Sequence, residues 1–191
     1  AHRVPVRGLA LPGVERFATP LGEIALDQSA MASIRHLRQV VASAPAHAQE
    51  HALEVQLPFL QAVLDAFTLV PLVVGDASAA EVAQVLEILW GGPETLIVVS
   101  SDLSHFLPHA QAQRIDQATA RQILDLRPGI THEQACGGTP VNGLLLAAQR
   151  HGLSPQLLGQ CNSGDTAGDK QRVVGYASFS FTAQQQHHAT S

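Results

Sequence analysis

The sequence predicts an α/β protein built on a largely parallel sheet with helices on both faces. Three observations carry this expectation. Apolar, β-branched runs at 67–74 and 95–101 lack polar alternation, the pattern of strands covered on both sides. Segments of helical period stand between and after these runs, at 78–90, 110–126 and 140–151. The composition is 46% hydrophobic but only 4% aromatic, so the core that fills such layers is aliphatic.

The elements follow in order. Residues 7–12 form a short apolar strand. Thr19-Pro20-Leu21-Gly22 is a turn, and a second short strand follows over 23–26. Asp27 is suited to cap a helix running to about 41, and 43–48 is a small-residue loop. From His51 to Ala66 the apolar residues recur at helical spacing, with a bend at Pro58. Ser78 caps a helix to Trp90, Gly91-Gly92-Pro93 turns, and the strand over 95–101 ends at Asp102. After the helix at 110–126, Pro140 marks the first turn of another, which stops at His151 with Gly152 beyond it. Strands at 153–161 and 173–181 follow, and 184–191 read as a frayed tail. No repeat or internal boundary is visible, so residues 1–183 are expected to form a single domain.

Composition excludes several classes. Only 14% of the 191 residues are charged, the net charge is −5, and no basic run occurs, which argues against nucleic acid as the partner. The longest apolar stretch is strand-sized, so no membrane span is expected. No signal-peptide pattern opens the chain, and Cys136 and Cys161 make no disulfide framework. The expected setting is a reducing cytoplasm.

In a wound α/β sheet, sites form beyond the carboxyl ends of the strands. Ser100-Ser101-Asp102-Leu103-Ser104-His105 stands there. Asp102 and His105 either face one pocket as an acid/base or ligand pair, or Asp102 caps the next helix and His105 is a surface loop residue. Cys136 precedes Gly137, Gly138 and a helix start, where backbone amides favour the thiolate that binds metals and attacks electrophiles. The alternative is a small buried apolar residue beside a turn, which is the expectation for Cys161. His47-Ala48-Gln49-Glu50-His51 has the spacing of an inverted zinc-peptidase motif, which requires both histidines on one helix. The segment 161–169 is polar and glycine-punctuated, suited either to bind a cation or a phosphate or, as the favoured reading, to form a turn bordering the pocket.

An ordered set of segments resembles the Memo family, also known as protein B of the AmmeMemoRadiSam system. They are His2-Arg3-Val4-Pro5-Val6-Arg7-Gly8-Leu9-Ala10, Phe17-Ala18-Thr19-Pro20-Leu21-Gly22 and Glu50-His51-Ala52-Leu53-Glu54-Val55-Gln56-Leu57-Pro58-Phe59-Leu60. Val70-Pro71-Leu72-Val73-Val74-Gly75, Val98 through Phe106, Cys136-Gly137, and Ser163-Gly164-Asp165 through Ala177 continue the order. The resemblance implies a fold similar to class III extradiol ring-cleavage dioxygenases, whose non-haem iron is held by two histidines and a carboxylate. In Memo proteins a cysteine replaces the carboxylate. By this carry-over His51 and Cys136 are metal ligands for iron or copper, and Asp102 and His105 are the catalytic pocket pair. His47 has no role in it. The first histidine ligand is expected upstream of Ala1, with the first strand, and His2 is expected to line the pocket rather than to replace it.

The resemblance further implies a metal-dependent oxidoreductase acting with radical SAM and AMMECR-type proteins. The alternative is a non-catalytic module holding a metal, a small molecule or a peptide.

Overall fold

The computed structural model describes residues 1–166 and 168–183. The tail expected at 184–191 lies outside the described residues. The chain divides into two compact units, residues 1–100 and the residues from 101 onward, each described by itself.

In the first unit, β1 (Leu9–Leu11) pairs in parallel with β4 (Val40–Ala42) and antiparallel with β5 (Val73–Val74). β2 (Arg16–Thr19) and β3 (Gly22–Ala25) pair as a hairpin about the expected turn at 19–22; the strand before that turn was not expected. Asp27 caps α1 (Gln28–Ile34), its Oδ1 accepting the Ala30 N–H at 2.9 Å. That helix ends early, because Val40-Val41-Ala42 ladders onto β1. Residues 43–48, expected as a loop, form the short helix α2 (Ala44–Ala48), capped by Ser43. α3 (Leu57–Val63) starts six residues later than the periodicity implies, with Pro58 in its first turn. Ser78 and Glu81 form a reciprocal capping box on α4 (Ala79–Leu89). The core is aliphatic, as composition requires: Val6, Ala10, Ala46 and Val73 pack together, with Val41 and Leu53 against them.

The run 95–101 is a correction. It takes no strand pairing, and Leu96 and Val98 are 64% and 46% exposed. An apolar, β-branched sequence is suited to a strand, but a strand exists only where another backbone answers its N–H and C=O groups. No described segment does so here.

In the second unit, β6 (His105–Leu107), β8 (Val173–Ala183) and β7 (Leu153–Asn162) form an antiparallel sheet in that order. α5 (His109–Leu124) and α6 (Gly138–Arg150) pack on it, and the four-residue α7 (Ser163–Thr166) lies between β7 and β8. Gly152 adopts φ 61 just after α6, the left-handed conformation that lets a helix stop. Leu103, Ile123, Ile130, Ala135 and Leu145 are the buried centre, with Phe179 and Phe181 against them.

The fold is thus mixed α/β, but its sheets are small and not all parallel. The two long strands are joined by a short connection, which allows only an antiparallel pair; a parallel pair needs a crossover of a dozen or more residues. Among the described residues no helix is long and apolar enough to cross a membrane.

Candidate metal-binding groups

Cys136 sits in the turn that leads into α6, and local bonds fix that turn. The Gln134 and Ala135 N–H groups donate to the Thr131 carbonyl at 3.1 and 3.0 Å. From α6, Asn142 Oδ1 accepts the Gly129 and Ile130 N–H groups, both at 2.9 Å. Ser101 then fastens the turn to the segment before β6. Its hydroxyl donates to the Asp102 carbonyl at 2.7 Å and accepts the Gly137 N–H at 2.9 Å. The Asp102 N–H donates to Cys136 Sγ at 3.3 Å.

On the other side of Asp102 the chain bends sharply. Phe106, a residue with a Cβ, takes φ 58 inside β6, where the ladder to β8 slips between His105 and Leu107. Such a bulge re-aims neighbouring side chains, and holding a non-glycine residue there costs about 1–3 kcal/mol. The Phe106 ring lies edge-on to the His105 ring at 5.6 Å and beneath the Arg172 guanidinium at 5.0 Å.

The outcome is that Asp102 Oδ2 stands 3.5 Å from His105 Nε2. Asp102, His105 and Cys136 each offer a ligand atom within 4.8 Å of the others, and all three are half-buried. That spacing fits a first-row transition ion, whose ligand bonds of about 2.0–2.3 Å set neighbouring donors roughly 3–4 Å apart. The structure therefore brings together three of the four residues expected from sequence. Asp102 is not spent as a helix cap: Pro108 occupies the N-cap position of α5. Tyr176 on β8 went unread in the sequence. Burial raises its phenol above the usual range, and the negative charges of Asp102 and Cys161 push it further. Cys161, expected in the core, is exposed on β7.

The fourth residue, His51, is described with its own unit. It forms a second group with His2 and Glu50, again with ligand atoms within 4.8 Å. Glu50 is the buried centre, its side chain 2% exposed. Oε2 accepts the His2 N–H at 2.7 Å, and Oε1 lies 2.8 Å from His2 Nδ1 and accepts the His51 and Ala52 N–H groups at 3.0 and 3.2 Å. The His2 and His51 rings are 5.1 Å apart. Forty-eight residues separate His2 from Glu50, so no local pattern could show this pairing.

Burial works to raise the Glu50 carboxyl, but the hydrogen bonds from His2 and Ala52 overcome it and hold the group at about 2. A carboxylate depressed from 4.5 contributes stability that is present above pH 4.5 and lost as pH falls towards 2. The full shift corresponds to about 3 kcal/mol; with the His2 side chain 38% exposed, about 2 kcal/mol is expected. Denaturant unfolding at pH 7 and pH 3 should show that loss in the native chain and a smaller one in Glu50→Gln. Equal pH dependence in both would clear Glu50 of the role.

The zinc-peptidase spacing does not survive. α2 ends at Ala48, so His47 and His51 do not share a helix. His47 Nε2 bonds the Ala10 carbonyl at 2.8 Å, burial lowers its basicity, and it belongs to neither group. The segment expected as a turn over 161–169 instead holds the end of β7 and the four-residue helix α7, tied by Asp165. Its carboxyl accepts from His109 Nε2 at 2.6 Å and from the Asn162 N–H at 2.9 Å, and is held low mainly by the His109 bond.

Fold and site together define a mixed α/β protein carrying two groups of side chains suited to a metal ion. The chain belongs to the Memo-like protein family, whose model matches residues 1–180. A MEMO1 family protein of Sulfurisphaera tokodaii is 33% identical over 182 residues, covering 87% of this chain and 64% of the relative. One from Ignicoccus hospitalis is 36% identical over 182 residues, covering 86% and 63%. One from Archaeoglobus fulgidus is 32% identical over 194 residues, covering 91% and 72%. The chain thus spans somewhat less than two thirds of the length of the first two of these relatives.

Proposed function

We propose that Cys136, His105 and Asp102 hold an iron or copper ion in a metal-dependent redox site. The supporting observation is the convergence of a thiol, an imidazole and a carboxylate within 4.8 Å. Catalytic metal sites commonly take three protein ligands and leave a position open, and a mixed sulfur–nitrogen–oxygen set suits iron, copper or zinc. A bound iron or copper ion would supply Lewis acidity and one-electron chemistry. The protein's own part is positional. Ser101 and the Asp102 N–H fix the sulfur, and Asp102 orients the His105 ring. Tyr176 is held protonated by burial, with the Asp102 charge acting in the same direction. His51, with His2 and Glu50, is a second place where an imidazole-rich ligand set is already assembled.

The same reading places the protein in a cytoplasmic modification pathway with radical SAM and AMMECR-type proteins, on the strength of the family resemblance. Anaerobic titration with ferrous and cuprous ions, followed by oxygen-uptake assays against a panel of catechols, tests the proposal. Metal retention with oxygen uptake supports it. Retention without turnover would leave a metal-, small-molecule- or peptide-binding module, and no retention would end the metal reading.

A further inference from the structure

His105 faces two ways. It is within ligand distance of Asp102 and Cys136, and it also lines a cavity of about 490 Å³ in the second unit. The other walls are Leu107 on β6, Ile115 and Ala118 on α5, and His132, Glu133 and Gln134 in the loop before Cys136. A space of this size falls in the range of small-molecule sites, which pair an apolar body with a few placed polar groups.

The polar groups have distinct roles. Gln134 is committed: its amide N–H groups donate to Thr119 Oγ1 and Gln122 Oε1, and its Oε1 accepts the Thr131 N–H. His132 Nδ1 lies 3.3 Å from the Cys136 carbonyl, which turns the other ring nitrogen away from that bond. Glu133 is exposed, and a bond from the Thr131 side chain, followed by its own backbone N–H, holds its carboxyl below the usual range. At neutral pH the lining therefore presents one fixed negative charge, two imidazoles and an aliphatic floor. Nothing in it supplies a fixed positive charge for an anion.

We propose that this cavity is the ligand pocket serving the Asp102–His105–Cys136 group, and that it takes small amphipathic primary amines. The apolar body lies on Leu107, Ile115 and Ala118, and the ammonium group faces Glu133. This inference rests on the metal-site reading for its chemistry, but the binding itself does not require a metal.

The test uses three probes of one skeleton: 2-phenylethylamine, 2-phenylethanol and 3-phenylpropionate. Binding to the whole chain is followed by calorimetry and by the imidazole NMR signals of His105 and His132. The amine is expected to bind roughly three- to tenfold more tightly than the alcohol, with the carboxylate weakest. Glu133→Gln should erase the preference for the amine while leaving the alcohol unchanged. Ala118→Trp, on an exposed face of α5, should fill the cavity and weaken all three probes. Cys136→Ser should leave amine binding intact while removing metal, so the two readings fail separately. Equal affinity for amine and carboxylate, or an Ala118→Trp variant that binds as the native chain does, would overturn the proposal.

Discussion

Replacing Cys136 with serine is expected to weaken cuprous-ion binding by at least about a hundredfold while leaving the fold intact. Losing a residue that only orients a ligand already costs about 10–100-fold, and loss of a donor atom costs more. The sulfur is the one soft ligand in its group, and cuprous ion selects soft thiolates over oxygen donors. A serine hydroxyl would have to give up its proton to substitute, and its oxygen is a hard donor. The structural cost is small, because serine is nearly the same size and its oxygen can still accept the Asp102 N–H that now meets Sγ at 3.3 Å. Competition titration under anaerobic reducing conditions measures the affinity, and circular dichroism with thermal melting checks the fold. Unchanged affinity in a folded Cys136→Ser chain would remove the sulfur from the proposed metal site. The same titration on His51→Ala tests the ligand role that the family resemblance assigns to that residue.

What was legible in advance follows from the range of the forces involved. Asp27, Ser78 and Gly152 were readable because capping is settled within four residues. The turn at 19–22 and the strand after it were readable for the same reason, although β2 before the turn was not. Asp102 and His105 were singled out because they follow the run at 95–101 and Cys136 because it precedes a helix start; their ligand atoms lie within 4.8 Å of one another, although that run forms no strand.

Most of the failures are non-local, although the helix at 44–48 carried a local signal in the Ser43 cap and Pro45 that went unread. Val40-Val41-Ala42 became a strand because β1 offered a ladder that no local signal announces. Residues 95–101 read as a strand and pair with nothing described. The link between Ser101 and Gly137 spans thirty-six residues in sequence and rests on one hydroxyl. Phe106 in a left-handed conformation contradicts its own propensity, and local rules give way most often at functional sites.

The support of the site depends on one position where only glycine fits. Gly175 on β8 bonds both ways to the segment leading to His105: its carbonyl accepts the Leu103 N–H at 2.8 Å, and its N–H donates to the Ser104 carbonyl at 2.9 Å. Above its Cα lies the Asp116 carboxylate of α5, a residue only 2% exposed, whose Oδ1 accepts the Ser104 N–H at 3.0 Å. A Cβ at 175 would stand 2.0 Å from Asp116 Oδ2 and 2.6 Å from its Cγ. The backbone there does not demand glycine, so the reason for it is space alone. Gly175→Ala must push a buried carboxylate aside, break its bond to Ser104 and shift the strand that positions Asp102 and His105. Overpacking costs about 1–3 kcal/mol, and stranding a buried polar partner adds about 1–3 more. A loss of about 3 kcal/mol or more in denaturant unfolding is therefore expected, with metal affinity falling alongside it. The explanation makes a second demand, because Asp116→Ala removes the obstruction. In that background Gly175→Ala should cost far less, giving a favourable coupling of about 1–3 kcal/mol. Additive costs in the double variant would show that Asp116 is not what excludes a side chain at 175.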